Sequence, residues 1–372
     1  LLEKAPEVEI GLITFSKVLA DDLEQKVDLL FGKAGQSRKN LKVFDIERLA
    51  TETIKKSKGK EYFVCNEYTV RQKMSEIFSD LELNKIRPEK FFIKEYEQVI
   101  GPWNLWKFQD YKNFQRLGRT TPLGENQRKK IFPCFEELQK RLHDENRITA
   151  FELYYLAASI FQNEPRKNFD HIIVDECQDL GPEKLNFIRS LVPEKRNDIM
   201  LCGDIGQSIY KRYHSYSQHG LSVQGRSKNL LINYRTSKEI KNLAKKITAD
   251  TISVENNEIE DRKVISKFSG AEPQIETFTD TNREIESLVA WIKKILEAGI
   301  KEHEILILAR KKRLLEPVSK ALKSENIRSW YLDNDSNFIK NEVGLAEINR
   351  IKGLEFRCVA IISCNKKEFP NE

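Results

Sequence analysis

The sequence predicts an α/β protein built from two parallel-sheet units. Short, non-alternating apolar runs rich in Ile and Val alternate with amphipathic helical patterns along most of the 372 residues. Such runs are typical of strands buried on both faces, and their alternation with helices is typical of parallel sheets. The pattern restarts after Tyr234, which predicts the second unit.

The first unit is predicted to begin with a strand over residues 7–15. Thr149 is expected to cap a helix over 148–162, because Glu152 follows three residues later. The other predicted elements of this unit are a helix at 18–30, a strand at 41–44, a run at 171–179 that starts as a strand, a helix at 182–191 and a strand at 199–202.

Residues 51–148 differ in character from their surroundings. They are mostly helical in pattern, rich in Lys, Glu and aromatic residues, and contain no clear parallel-strand run. We therefore predict a helical insertion at 51–148 within a first domain formed by 1–50 and 149–240, followed by an incomplete second domain at 241–372. The elements predicted after Tyr234 are helices at 237–249, 283–298 and 313–325 and strands at 274–278, 304–309 and 359–363.

Composition narrows the class of protein. The net charge of +6 is compatible with a polyanionic partner. No apolar stretch approaches the roughly twenty residues of a membrane span, and no secretory signal is recognisable. Six cysteines without C-x-x-C spacing favour buried thiols in a reducing, cytoplasmic setting over a zinc site.

Two adjacent carboxylates close the buried run HIIVDECQD at 171–179. Open parallel sheets bind ligands at the carboxyl ends of their strands. Asp175 at that position is suited to hold a hydrated Mg²⁺, and Glu176 to orient and deprotonate a water. The alternative is a strand that ends in an ordinary polar turn.

Three further segments place polar residues at predicted strand ends. Gln207, in LCGDIGQSIY, is suited to hydrogen-bond a terminal phosphate or an attacking water. Arg235, in LLINYRTS, is suited to a transferring phosphoryl group. Glu355 lies in IKGLEF, just before the last strand. Each segment alone also fits a common turn, a surface pair or a helix cap.

Tyrosines and cations interleave over residues 210–216, YKRYHSY. Aromatic faces for base stacking beside cations for phosphate are what single-strand binding requires. A solvated, Tyr-rich loop is the alternative. Trp103 and Trp106 are expected to belong to the core of the insertion, with a DNA contact as the alternative.

Taken together, these motifs resemble those of superfamily 1 helicases of the UvrD/Rep type. VDECQD resembles the Walker B motif, GDIGQSIY motif III, NYRTS motif IV, KGLEF motif V and ITFSK motif Ia, and FDIERLA is weakly similar to motif Ib. The resemblance implies two RecA-like domains of the P-loop NTPase type, with Mg²⁺-ATP in the cleft between them. It also implies a 3′–5′ ATP-dependent DNA helicase or translocase.

The resemblance also implies individual roles. Asp175 would hold Mg²⁺ and Glu176 would activate water, Gln207 and Arg235 would contact the γ-phosphate, and Glu355 would lie near the ribose. Arg310 resembles a further arginine near the nucleotide. The residues implied in nucleic-acid binding are Phe15, Ser16, Tyr210, Lys211, Arg212, Tyr213, Asn349 and Lys352.

Several departures from the family pattern qualify these expectations. No G-x-x-G-x-G-K-T loop and no final arginine motif occur in the sequence, and Asn349 stands where the family usually has a histidine. We therefore expect a fragment of a longer chain that hydrolyses ATP negligibly by itself.

The expected partner is single-stranded or partial-duplex DNA, RNA remaining open, with no membrane and no protein partner specified. Two alternatives stay open for the function. One is an ATP-switched single-strand-binding module in repair or defence. The other is the motor half of a helicase–nuclease fusion.

Overall fold

The computed structural model describes residues 7–32, 39–59, 62–162, 167–204, 214–248, 265–332, 341–351 and 353–368. The chain folds into two compact units. The first comprises Leu1–Phe15, Glu24–Asn233 and Lys245–Ile265, and the second comprises Ser16–Leu23, Tyr234–Ala244 and Ser266–Glu372. The domain boundaries given above stay a prediction.

The helices and strands follow one another in the order strand, helix, strand through most of both units. In chain order they are β1 Ile10–Thr14, α1 Lys17–Phe31, β2 Leu41–Asp45, α2 Ile46–Lys58, β3 Phe63–Cys65, α3 Glu67–Asp80, α4 Glu89–Glu95, α5 Phe108–Lys112, α6 Glu125–Ile131, α7 Pro133–Asp144, β4 Arg147–Thr149, α8 Ala150–Gln162, β5 His171–Val174, α9 Pro182–Ser190, β6 Ile199–Leu201, β7 Ile232–Asn233, α10 Lys238–Thr248, β8 Ile265–Ser266, α11 Thr281–Glu297, β9 Ile305–Ala309, α12 Glu316–Ser324, β10 Ser329–Tyr331, β11 Val343–Glu347 and β12 Cys358–Ile361.

The first unit is organised around a four-stranded parallel sheet in the order β2-β1-β5-β6. In its register Ile13 lies opposite Phe44 on one side and Val174 on the other. The face bearing Ile13 and Val174 packs into a core with α2, α8 and α9. The opposite face, which bears Leu12, packs against Val27 of α1. Because both faces are covered, the strands carry the continuous apolar runs seen in the sequence.

The helical insertion contains a feature that the sequence pattern did not indicate. Strand β3 pairs in parallel with β4, so the expectation of no parallel strands within 51–148 was wrong. Each of these strands has only three residues, too short for a periodic apolar signal. At the end of β4, Thr149 and Glu152 exchange side-chain to backbone hydrogen bonds of 3.2 and 3.0 Å, which confirms the predicted cap of α8.

A buried ion cluster lies within the core of the insertion. Glu95 is fully buried and accepts hydrogen bonds from Tyr111 Oη at 2.6 Å and Arg119 Nε at 3.0 Å. The guanidinium of Arg116, itself 5% exposed, also donates to both oxygens of Glu95. A carboxylate can be buried here because its oxygens are satisfied by cations and a hydroxyl.

The second unit contains another four-stranded parallel sheet, in the order β10-β11-β9-β12. All five residues of β9 are buried. Ile305, Ile307 and Ala309 pack with α11 and α12, and Leu306 and Leu308 pack on the opposite face in a second cluster that includes Trp330. Strands β10 and β11 were not predicted. The strand predicted at 274–278 was wrong: these residues have no regular structure, and Ile275 is 79% exposed. Without a neighbouring strand, a short β-prone run forms no ladder.

Among the described residues, no helix is both long and apolar enough to cross a membrane.

Replacing Glu95 with Gln tests the buried ion cluster. The substitution keeps the side-chain volume but leaves the buried guanidinium of Arg116 without its counter-charge. We expect the free energy of unfolding to fall by about 3–5 kcal/mol, measured by chemical denaturation. Glu137→Gln, which breaks a partly exposed pair with Arg141, is the control and should cost about 1 kcal/mol or less. Equal losses in the two variants would contradict the assignment.

Candidate nucleotide site and its surroundings

Asp175 and Glu176 lie at the carboxyl edge of the first sheet, directly after the interior strand β5. The backbone N–H of Asp175 donates to Ile13 O at 2.9 Å, and that of Cys202 donates to Val174 O at 2.8 Å. These two hydrogen bonds continue the pairing of β5 with β1 and β6 just past the strand ends. They hold the backbone in place next to the two carboxylates. Both acidic side chains are half-buried. The structure confirms that Asp175 and Glu176 directly follow the end of a strand, as predicted.

The backbone turns sharply at Glu176. Its φ of 55° and ψ of 38° lie in the left-handed region, a backbone conformation that residues other than glycine rarely adopt. Such strained residues cluster at functional sites. The N–H of Glu176 donates to Asp175 Oδ1 at 3.0 Å, and Gln178 Nε2 donates to Glu176 Oε2 at 2.6 Å. The turn therefore fixes the direction of the Glu176 carboxylate.

Gln178 also ties this turn to the neighbouring strand end. Its Oε1 accepts a hydrogen bond of 3.2 Å from the N–H of Asp204, just after β6. A Cβ at Gly203 would stand 2.3 Å from that same oxygen and 2.8 Å from Cys177 Sγ. Only glycine leaves room for the amide. The sequence interpretation gave Gln178 no role, although the Gly203-Asp204 pair was a signal for this close approach.

The thiol beside the carboxylates is buried. Burial raises the pKa of Cys177 to about 11, so this side chain is a neutral packing group at pH 7. The expectation of buried thiols holds for Cys65, Cys134 and Cys177 but is wrong for Cys364, which is exposed.

The donor atoms at the edge suit a hard divalent cation. Mg²⁺ is typically bound by one or two carboxylates together with waters and phosphate oxygens. Asp175 and Glu176 supply carboxylates of this kind. Within the described ranges, no group of three or more His, Cys, Asp or Glu side chains forms a closed metal cage. The residues present therefore fit a Mg²⁺ that keeps most of its waters.

The predicted nucleotide-contacting residues of the second unit lie near strand ends or in the loops between elements. Arg235 and Glu355, both about half exposed, form an ion pair with each other. Arg310 directly follows β9. Asn349 is exposed in a short 3₁₀ helix after β11. Glu347, at the end of β11, accepts from the N–H of Lys312 at 3.1 Å.

Phe15 and Ser16 follow β1 at the same edge as Asp175. The ammonium of Lys184 lies 4.1 Å from the centre of the Phe15 ring, a distance typical of cation–π contacts. Ser16 Oγ accepts from the N–H of Leu19 at 3.3 Å and so caps α1. The remaining predicted site residues lie outside the described residues; they are Gln207, Tyr210, Lys211, Arg212, Tyr213 and Lys352.

An aromatic cluster joins the insertion to residues 214–219. The ring of Trp103 stacks on His219 with centroids 5.5 Å apart, and His219 Nδ1 lies 3.0 Å from Asn186 Oδ1. Because an amide oxygen only accepts, this nitrogen carries the proton. Asn186 in turn donates to Tyr155 Oη at 3.3 Å, and that hydroxyl donates to Pro102 O at 2.7 Å. Trp103 and Trp106 also pack against the core of the insertion, as expected.

A cavity of about 610 Å³ opens beside this chain of hydrogen bonds. Its lining includes Tyr155, Asn186 and Arg189. None of the predicted site residues that the structure describes lines this cavity, so its volume says nothing about the site at Asp175 and Glu176.

Comparison with models of known protein families shows to which family this chain belongs. The family model of the UvrD/REP helicase N-terminal domain matches residues 1–219, and that of the UvrD-like helicase C-terminal domain matches residues 229–346. The chain belongs to the UvrD-like helicase family. The predicted fold class, α/β with two RecA-like parallel sheets, is thereby confirmed.

Several curated UvrD-like helicases are similar to this chain. It is 26% identical over 244 residues to the mitochondrial ATP-dependent DNA helicase HMI1 of Saccharomyces cerevisiae, covering 59% of this chain and 34% of that protein. It is 28% identical over 186 residues to an ATP-dependent helicase/nuclease subunit of Lactobacillus johnsonii, covering 45% and 14%. The corresponding protein of Alkaliphilus oremlandii is 24% identical over 264 residues, covering 66% and 20%. The chain spans about a third or less of the length of these relatives.

Replacing Gly203 with Ala tests the contact between the two strand ends. The added methyl group must displace the Gln178 amide, so we expect the free energy of unfolding to fall by about 1–3 kcal/mol in chemical denaturation. Gly124→Ala is the control, because a Cβ there meets nothing within 4 Å, and it should cost about 1 kcal/mol or less. A Gly203→Ala variant as stable as the control would show that the close approach is absent.

The buried imidazole of His219 predicts a pH dependence of stability. Burial lowers the pKa of His219 to about 4 in the folded protein, against an ordinary value of 6.5. The unfolded chain therefore gains a proton first as the pH falls. The stability that neutral His219 contributes is complete above about pH 6.5 and is lost as the pH falls towards 4.

We accordingly expect the stability difference between wild type and His219→Gln to shrink between pH 7 and pH 4.5. Denaturant titrations of both proteins across this range measure it. A difference that stays constant with pH would contradict the burial of a neutral ring.

Proposed function

We propose that the intact protein is an ATP-driven DNA helicase or translocase that couples Mg²⁺-ATP hydrolysis to movement along single-stranded DNA, in the 3′–5′ direction. The observation that carries this proposal is the Asp175–Glu176 turn at the carboxyl edge of an interior parallel strand. Membership of the UvrD-like helicase family and similarity to proteins named as ATP-dependent helicases support it.

The chemistry follows from the geometry of that turn. Asp175 would hold a hydrated Mg²⁺, and the chemistry that this ion would supply is positive charge against that of the nucleotide phosphates. Glu176 orients a water and takes its proton at the carboxylate. Because Gln178 fixes one oxygen of Glu176 at 2.6 Å, the orientation of the base is set before water arrives. Preorganisation of this kind lowers the barrier without requiring reorganisation during the reaction.

The other nucleotide contacts are proposed for Gln207, Arg235, Glu355 and Arg310. Arg235 and Gln207 contact the γ-phosphate, Glu355 contacts the ribose, and Arg310 lies near the nucleotide. The ion pair between Arg235 and Glu355 orients the guanidinium until phosphate oxygens replace the carboxylate as its partner.

Single-stranded DNA is proposed to contact Phe15 and the other residues that the resemblance implies in nucleic-acid binding. Phe15, with the Lys184 ammonium over its ring, offers an aromatic face beside a cation. The other proposed contacts are Ser16, Tyr210, Lys211, Arg212, Tyr213, Asn349 and Lys352.

A second function is favoured by the names of two relatives, both ATP-dependent helicase/nuclease subunits. In that case this chain forms the motor of a protein that also cleaves nucleic acid. Nuclease assays on the intact protein with and without ATP separate the two. An ATP-switched binding module, in turn, would bind single strands in an ATP-dependent way without unwinding a partial duplex.

Glu176→Gln, measured in the intact protein, tests the proposed hydrolysis site. Removing the base should lower the single-strand-stimulated rate of ATP hydrolysis by about 10²- to 10⁴-fold, while ATP binding, followed with a fluorescent analogue, is retained. Glu136→Gln changes an exposed carboxylate of the insertion and should leave the rate unchanged. Wild-type hydrolysis in Glu176→Gln would refute the assignment of the base.

A further inference from the structure

Thr14, the last residue of β1, carries a buried hydroxyl that has no hydrogen-bond partner among the described residues. Its side chain is 1% exposed, and no described group lies within hydrogen-bonding reach of Oγ1. A buried hydroxyl left without a partner destabilises the fold, because it has lost its hydrogen bonds to water and gained none in exchange. Unsatisfied groups of this kind are few in folded proteins, and each calls for an explanation.

The register of the sheet places this hydroxyl between two carboxylates. Thr14 pairs with Asp45 of β2, and because Ile13 pairs with Val174, Thr14 is next in register to Asp175. Paired residues of parallel strands point to the same face. This is the face on which Leu12, Val43 and Ile173 pack against Val27 of α1.

Of the two carboxylates, Asp45 is already committed to a structural role. Its Oδ1 accepts hydrogen bonds from the N–H groups of Glu47 and Arg48 at 3.1 and 3.2 Å and caps α2. Asp175 accepts a local bond at its own Oδ1 from the N–H of Glu176. A second hydrogen-bond donor, from the neighbouring strand, would restrict the rotation of the Asp175 carboxylate further.

We propose that Thr14 is a positioning residue for the metal site: its hydroxyl donates a hydrogen bond to the Asp175 carboxylate in the Mg²⁺-bound state and thereby sets metal affinity. This inference rests on the proposed function of Asp175. Donors that orient a metal-binding carboxylate typically change metal affinity or activity by about 10- to 100-fold when removed. Because Thr14 Oγ1 has no partner among the described residues, its donor is left for that bond.

Thr14→Val and Thr14→Ser in the intact protein test the inference. Val removes the hydroxyl from a nearly isosteric side chain, and Ser keeps it. We expect the concentration of Mg²⁺ that gives half-maximal ATP hydrolysis to rise about 10- to 100-fold in Thr14→Val and to stay close to wild type in Thr14→Ser. Binding of Mn²⁺ in the presence of a non-hydrolysable ATP analogue, followed by electron paramagnetic resonance, should weaken in parallel.

Thermal unfolding without metal or nucleotide separates positioning from a purely structural role. Because Val removes an unsatisfied polar group, Thr14→Val should unfold at the wild-type temperature or above it. A lower unfolding temperature with unchanged metal dependence would overturn the inference, as would equal losses of metal affinity in the Val and Ser variants.

Asp175→Asn distinguishes this inference from the function on which it rests. If Asp175→Asn hydrolyses ATP like wild type, the proposed hydrolysis site itself fails. If Asp175→Asn is inactive while Thr14→Val keeps the wild-type Mg²⁺ and Mn²⁺ dependence, only the role of Thr14 fails.

Discussion

The site depends on the parallel register of the first sheet. Parallel pairing of β2, β1, β5 and β6 brings the carboxyl ends of four strands to one edge, so residues far apart in the chain become neighbours. A slip by one residue would turn Asp175 to the opposite face and bury it among the apolar residues that pack on α2, α8 and α9. The apolar residues on both faces prevent that slip, because each face is enclosed by helices.

At the carboxyl edge of this sheet, features that are locally unfavourable for folding orient the side chains of Asp175 and Glu176. Glu176 adopts a left-handed backbone conformation, and Gln178 connects the turn to the end of β6 through Asp204, over a glycine with no room for a side chain. Thr14 adds a buried hydroxyl that has no hydrogen-bond partner among the described residues. The left-handed backbone and this hydroxyl are each unfavourable for folding alone. The first lies at Glu176 itself, and the second is next in register to Asp175. Their concentration in one place distinguishes this edge from an ordinary polar turn.

Much of this arrangement could be predicted from the sequence, because its signals are local. Apolar runs located the strands of the first sheet and β9, and Thr149 with Glu152 located the start of α8. The three-residue strands β3 and β4 carry too little pattern to be found. The apparent strand at 274–278 failed because strand formation needs a partner that periodicity does not reveal. Gln178 and Thr14 escaped notice because their significance lies in contacts and register across strands.

The most direct test of the central claim is a structure of the intact protein with Mg²⁺ and a non-hydrolysable ATP analogue. We expect the metal to lie at Asp175, through an oxygen at about 2.1 Å or through one metal-bound water, with a water held by Glu176 near the γ-phosphate. Metal and phosphates bound away from the β5 edge, in contact with neither Asp175 nor Glu176, would contradict it.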